Sequence, residues 1–124
     1  MEKIEIRGLP SAVHSMRLTS RASPCIHAAK AGAAHFMRNL ALELAAYNIS
    51  VNAIAPGFFI TNIGGGHAHN PETQKTVAAR LPMHRVGWPD DIKGLALFLA
   101  SPAVNYITGQ QIVIDGGWGL GAAD

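Results

Sequence analysis

The sequence predicts an α/β fold built on parallel strands, and three observations carry that prediction. Val51 to Ala55 is an apolar run suited to a strand buried on both faces, as parallel strands are. A helix-period stretch precedes it, and a helix and a further strand follow, which is the βαβ pattern. Pro56-Gly57 ends the run, because proline cannot donate to a sheet ladder. In open α/β sheets ligands bind beyond the carboxyl ends of the strands, so Gly57 to Thr61 falls where a site is expected.

Taken in order, Lys3 to Arg7 alternates charged and apolar residues, the period of a half-exposed edge strand. Gly8 to Pro24 is rich in Ser, Gly and Pro with no sustained period, and is expected to be loop. From His27 to about Tyr47, Ala29, Ala33, Phe36, Met37, Leu40, Ala41 and Leu44 recur at helical spacing, and Asn48 is a plausible stop. The bland reading is a core helix. Gly64 to His69 follows the central strand and is expected to be mobile. Its glycines are framed by no strand-to-helix turn, so they form no phosphate cradle. Asn70-Pro71-Glu72 has the order of N-cap, first helical residue and dipole-favoured acid, with Pro82 ending a short helix. Pro89-Asp90-Asp91 is expected to start the next helix in the same way, turning Ile92, Leu95, Ala96 and Leu99 inward. Gln111 to Asp115 is the last strand, and Gly116-Gly117 turns the chain out of it.

Bulk properties narrow the function classes. With 124 residues, 48% hydrophobic and 15% charged, the chain suits a single folded domain over 1–124. The net charge is +2 and the bases are scattered, so no nucleic-acid partner is expected. No stretch approaches the roughly 20 apolar residues of a membrane span, so no membrane association is expected. Cys25 is the lone cysteine, which fits a reducing compartment, and the N-terminus lacks a signal-peptide core; the expected location is cytoplasmic. His67 and His69 have no third ligand nearby in sequence, which favours a solvated loop over a metal site.

ISVNAIAPGFFIT, with AAKAGAAHFMRNLALELA before it and GWPDDIKGLALFLASPAVNYITGQQIVIDGGW after it, resembles the C-terminal half of a short-chain dehydrogenase/reductase. The resemblance covers about Ala28 to Gly117. It implies a Rossmann-type, doubly wound parallel sheet, of which the chain holds about the last three strands. It implies an oxidoreductase that uses NAD or NADP and a small-molecule alcohol or carbonyl substrate, with sugar acids the nearest class. It also implies interface surfaces on the long helix, the Ile92 to Leu99 helix and the last strand. These point to a homo-oligomer or to association with a full-length relative.

The family's catalytic tyrosine and lysine stand four residues apart on one helix face, where the ammonium lowers the phenol pKa. Lys30 stands at the lysine position, but Ile26 occupies the tyrosine position and has no proton to give. The family's carbonyl-polarising serine falls nearest Ser11, between Ser11 and Ser15, although a loop serine is more often only a turn former. For the cofactor, the resemblance implies Lys30, close backbone approach at Pro56 and Gly57, a backbone group at Phe59 and a hydroxyl at Thr61. The glycine-rich turn that receives the pyrophosphate has no counterpart in Met1 to Pro24. The 124 residues are therefore expected to be inactive by themselves. The rival expectation is a non-catalytic partner of a full-length relative, or a gene remnant.

Overall fold

The computed structural model describes residues 3–6, 24–62 and 66–121. Three parallel strands, β1 (Lys3–Ile6), β2 (Ser50–Pro56) and β3 (Gln111–Ile114), pair in the order β1-β2-β3. Ile4 sits opposite Val51, and Ala55 opposite Val113. The α/β fold and its parallel sheet are as the sequence predicts. β2 is the central strand, with Val51, Asn52, Ala53, Ile54 and Ala55 all buried, which explains its lack of a polar face.

Because side chains alternate along a strand, β2 feeds two cores. On one face Val51 and Ala53 pack against Met37 and Ala41 of α1 (Pro24–Ala45). On the other, Ile54 packs with Leu99 of α3 (Pro89–Ala100) and with Val104. Ile92, Leu95 and Ala96 of α3 join that second core, as their spacing predicts. The sequence expectation for α1 needs correction. Phe36 is 64% exposed and Ala29 is exposed, whereas Ala34, absent from the expected stripe, is buried. The inward line is Ala34, Met37, Ala41 and Leu44, and Phe36 stands about 100° round the helix from Met37.

Asn48 ends α1 in the left-handed region at φ 56°. Ile49 N–H donates to the Leu44 carbonyl and Asn48 N–H to that of Ala45, so two orphan helix carbonyls are satisfied. Asn70 caps α2 (Pro71–Ala78), its side chain accepting from Glu72 N–H at 2.9 Å and Thr73 N–H at 3.4 Å. α3 starts differently from expectation. Its N-cap is Trp88, whose indole can only donate. Instead Asp91 reaches back and accepts from the Trp88 N–H at 2.8 Å.

Asn52 is a buried polar residue that hydrophobic patterning does not flag. Its Nδ2 donates to Ile107 O at 2.9 Å, and its Oδ1 accepts from Gln110 N–H at 3.1 Å. Thr108 Oγ1 accepts from Val51 N–H at 3.0 Å, so the approach to β3 is pinned to β2 from both sides. Asn52→Ala leaves a carbonyl and an N–H unpaired in a partly buried place, an expected loss of about 2–4 kcal/mol. A urea midpoint equal to that of the parent would contradict this role.

Candidate functional site

The direction of α1 decides what meets at the carboxyl end of the sheet. α1 joins two parallel strands and so runs back against them. Lys30 is seven residues before Met37, two turns along the same helix face and about 10 Å toward that end. Pro56 is three residues past Ala53, again about 10 Å in the same direction. Half-buried Lys30 and Pro56-Gly57 therefore arrive at one level of the molecule. Ile26 lies in the same helix, one turn before Lys30. Ser11 lies outside the described residues.

The glycine at 57 is required by packing. Its N–H donates to Ile114 O at 2.9 Å, which draws the tips of β2 and β3 together. A Cβ at Gly57 would lie 2.6 Å from Asp115 Cβ and 2.7 Å from its Cα. This demand is separate from the cofactor approach that the resemblance implies. Gly57→Ala has to push the strand tips apart, at an expected cost of about 1–3 kcal/mol. Equal thermal stability of the variant and the parent would show that the tips yield freely.

Past Gly57 the chain bends at Phe58 and makes an isolated parallel bridge between Phe59 and Gly87. Gly87 N–H donates to Phe58 O at 3.0 Å, and Ile60 N–H donates to Gly87 O at 2.9 Å. In such a bridge the backbone N–H and carbonyl of Phe59 face the opposite way. The half-buried Thr61 follows two residues later. Ile60 itself is buried with Leu81 and Val86 beyond the sheet.

A cavity of about 220 Å³ opens beside this bridge, lined among others by Phe58, Phe59, Arg85, Asp91 and Asp115. Of the residues expected to bind cofactor, Phe59 alone lines it; Lys30, Pro56, Gly57 and Thr61 do not. Asp115 closes one side, its carboxylate accepting from Gly117 N–H at 2.9 Å and Gly119 N–H at 2.8 Å. Gly116 and Gly117 turn at φ 64° and 88°, so the chain leaves β3 there as the sequence predicts.

Arg85 and Asp91 were not flagged as a pair by sequence reasoning. The available signal was two opposite charges flanking Gly87-Trp88-Pro89. The guanidinium meets both carboxylate oxygens, at 2.7 and 2.9 Å. Those bonds, with the Trp88 N–H, hold the Asp91 carboxyl down at about 2, below its ordinary value of about 3.9. A depressed carboxylate contributes stability above its unfolded pKa and loses it as pH falls through the folded one. The pair is thus expected to stay intact at neutral pH and to open as pH falls through about 2, while the stability it contributes fades from about pH 4 downward. The ¹³C shift of the Asp91 carboxyl checks this, and a midpoint near 4 would contradict it.

The segment expected to be mobile is described only from Gly66 onward. Gly64 and Gly65 lie outside the described residues. His67–His69 forms a 3₁₀ turn with both histidines exposed and Ala68 buried, and His69 Nε2 meets Asn62 Oδ1 at 2.9 Å. Among the described residues no three His, Cys, Asp or Glu side chains gather as a metal site would require. No helix among them is long and apolar enough to cross a membrane.

The described residues form an α/β fold on a parallel sheet, with a cavity beyond the ends of β2 and β3. Residues 10–119 match the family model described as Enoyl-(Acyl carrier protein) reductase. The 2-dehydro-3-deoxy-D-gluconate 5-dehydrogenase of Dickeya dadantii is 42% identical over 95 residues, which is 77% of this chain and 38% of that protein. The 7alpha-hydroxysteroid dehydrogenase of Escherichia coli is 39% identical over 103 residues, 83% of this chain and 38% of that one. Among solved structures, the Pseudomonas aeruginosa RhlG/NADP active-site complex superposes with a TM-score of 0.76 at 34% identity. That match covers 86% of this chain and 43% of the other. A short chain dehydrogenase family protein from Francisella tularensis matches with the same TM-score at 30% identity, covering 94% and 50% of the two chains.

The chain belongs to the short-chain dehydrogenase/reductase family. It spans 38% of the length of the two curated relatives named above.

Proposed function

We propose that this chain supplies the nicotinamide and substrate end of an oxidoreductase that moves hydride between NAD or NADP and a small alcohol or carbonyl compound. Sugar acids are the proposed substrate class. What supports the reading is that Lys30 on α1 and Pro56-Gly57 at the end of β2 stand at the same level, toward the carboxyl end of the parallel sheet. The residues present fit the nicotinamide end of the cofactor: Phe59 turns one backbone donor and one acceptor away from its bridge, the complement of a carboxamide. When bound, the nicotinamide supplies or takes the hydride. Lys30 is the cation that would favour a neighbouring phenolate, Thr61 a hydroxyl contact to the cofactor, and Ser11 the group that polarises the substrate carbonyl. With Ile26 at the proton-donor position, the chain as it stands is a poor catalyst.

A second reading is favoured by exposed apolar side chains. Phe36 and Leu42 on α1, Leu97 and Phe98 on α3 and Val113 on β3 all stand in solvent, which suits a homo-oligomer or a complex with a full-length relative. Both readings can hold together. A chimera joining the first part of an active relative to residues 24–124, with Ile26→Tyr, tests the enzymatic one. It is expected to oxidise or reduce sugar acids in the presence of dinucleotide. A folded chimera that turns over no alcohol or carbonyl compound would refute it.

A further inference from the structure

Phe59 is held in place by very little of the sheet. Its segment touches the loop that carries Gly87 through an isolated bridge of two hydrogen bonds, with no ladder on either side. Such a contact frays unless its partner residue is fixed from elsewhere. Gly87 cannot be fixed by a side chain of its own, because a Cβ there would lie 2.7 Å from the Phe59 ring. Burial of Val86 and Ile60 with Leu81 anchors the segments on either side, and the turn that closes around Gly87 sets its own position. Arg85 and Asp91 stand on either side of Gly87 and join through a two-pronged guanidinium–carboxylate contact. The same guanidinium donates to Val86 O at 3.3 Å, and the same carboxylate accepts from Trp88 N–H. Both backbone neighbours of Gly87 are thus tied to one ion pair.

We propose that Arg85 and Asp91 are positioning residues for the cofactor end of the site. The pair holds Gly87 against Phe59, and so keeps the outward N–H and carbonyl of Phe59 aimed at the nicotinamide carboxamide. The inference rests on the reading above, in which that backbone meets the carboxamide. The side chains of the pair are 51% and 31% exposed, and exposed pairs contribute little to global stability. Its loss should therefore be felt at Phe59 and not in the core, which separates positioning from mere support.

The experiment uses the 124-residue chain, labelled with ¹⁵N, in parent, Arg85→Ala and Arg85→Lys forms. Lysine keeps the charge but cannot form the two-pronged contact, so it restores little if the geometry matters. Oxidised nicotinamide mononucleotide at millimolar concentration is expected to shift the Phe59 amide of the parent. In Arg85→Ala, amide exchange at Gly87 and Ile60 should quicken, and the mononucleotide should bind more weakly, each by roughly tenfold, as for the loss of one ordering contact. Exchange at Val51 and Ala53 should not change. Arg85→Lys should fall nearer to alanine than to the parent. Unchanged exchange at Gly87 and Ile60 in Arg85→Ala would overturn the positioning role and leave the proposed function standing. Equal quickening at Val51 and Ala53 would also overturn it, by showing general support. No shift at Phe59 in the parent at any mononucleotide concentration would overturn both.

Discussion

Ile26→Tyr should raise turnover by roughly a hundred- to ten-thousandfold when it is made in a chimera of residues 24–124 with the first part of an active relative. A placed general acid or base supplies about that factor, and isoleucine supplies none of it. The helix carrying position 26 is already formed, and Lys30 stands one turn further on. A new phenol would therefore meet the cation that draws its pKa toward working pH. The comparison is between two folded chimeras that differ at one residue, assayed on the relative's own substrate. Equal rates would show that another group, such as His27, Cys25 or water, carries the proton.

The second large effect concerns affinity. Met1 to Pro24 carries no sequence like the glycine-rich turn that receives the pyrophosphate, so those contacts are expected to be missing from the cofactor affinity. NADH and NADPH should bind the chain by itself on the order of a thousandfold more weakly than they bind the chimera, a difference of about 4 kcal/mol. Calorimetric titration of both proteins measures it. Micromolar binding to the chain by itself would show that the nicotinamide end alone supplies most of the affinity.

Much of the fold was legible because its elements carry strong local signals. β2 is apolar apart from Ser50 and Asn52, and Asn70-Pro71-Glu72 announces its helix by capping chemistry. Less legible were features that depend on residues far apart in sequence meeting in space. Asn52 looks like an interruption of an apolar run until Ile107 and Gln110 arrive to satisfy it. Gly57 suggests freedom of approach, yet its immediate neighbour is Asp115, brought there by the pairing of β2 with β3. Spacing alone did not separate the exposed Phe36 from the buried Ala34, because a helix so rich in alanine offers more than one apolar line. The candidate site divided in the same manner. Lys30 and the Pro56 to Thr61 segment are candidates that motif alone suggests, whereas Arg85 and Asp91 became a pair only through the turn that carries Gly87 against Phe59.

The most direct test of the central claim is a crystal structure of the Ile26→Tyr chimera with bound dinucleotide. The predicted result places the carboxamide within about 3 Å of the Phe59 N–H and carbonyl, with Lys30 at the same end of the sheet. A nicotinamide bound elsewhere, or a carboxamide held without the Phe59 backbone, would contradict the claim.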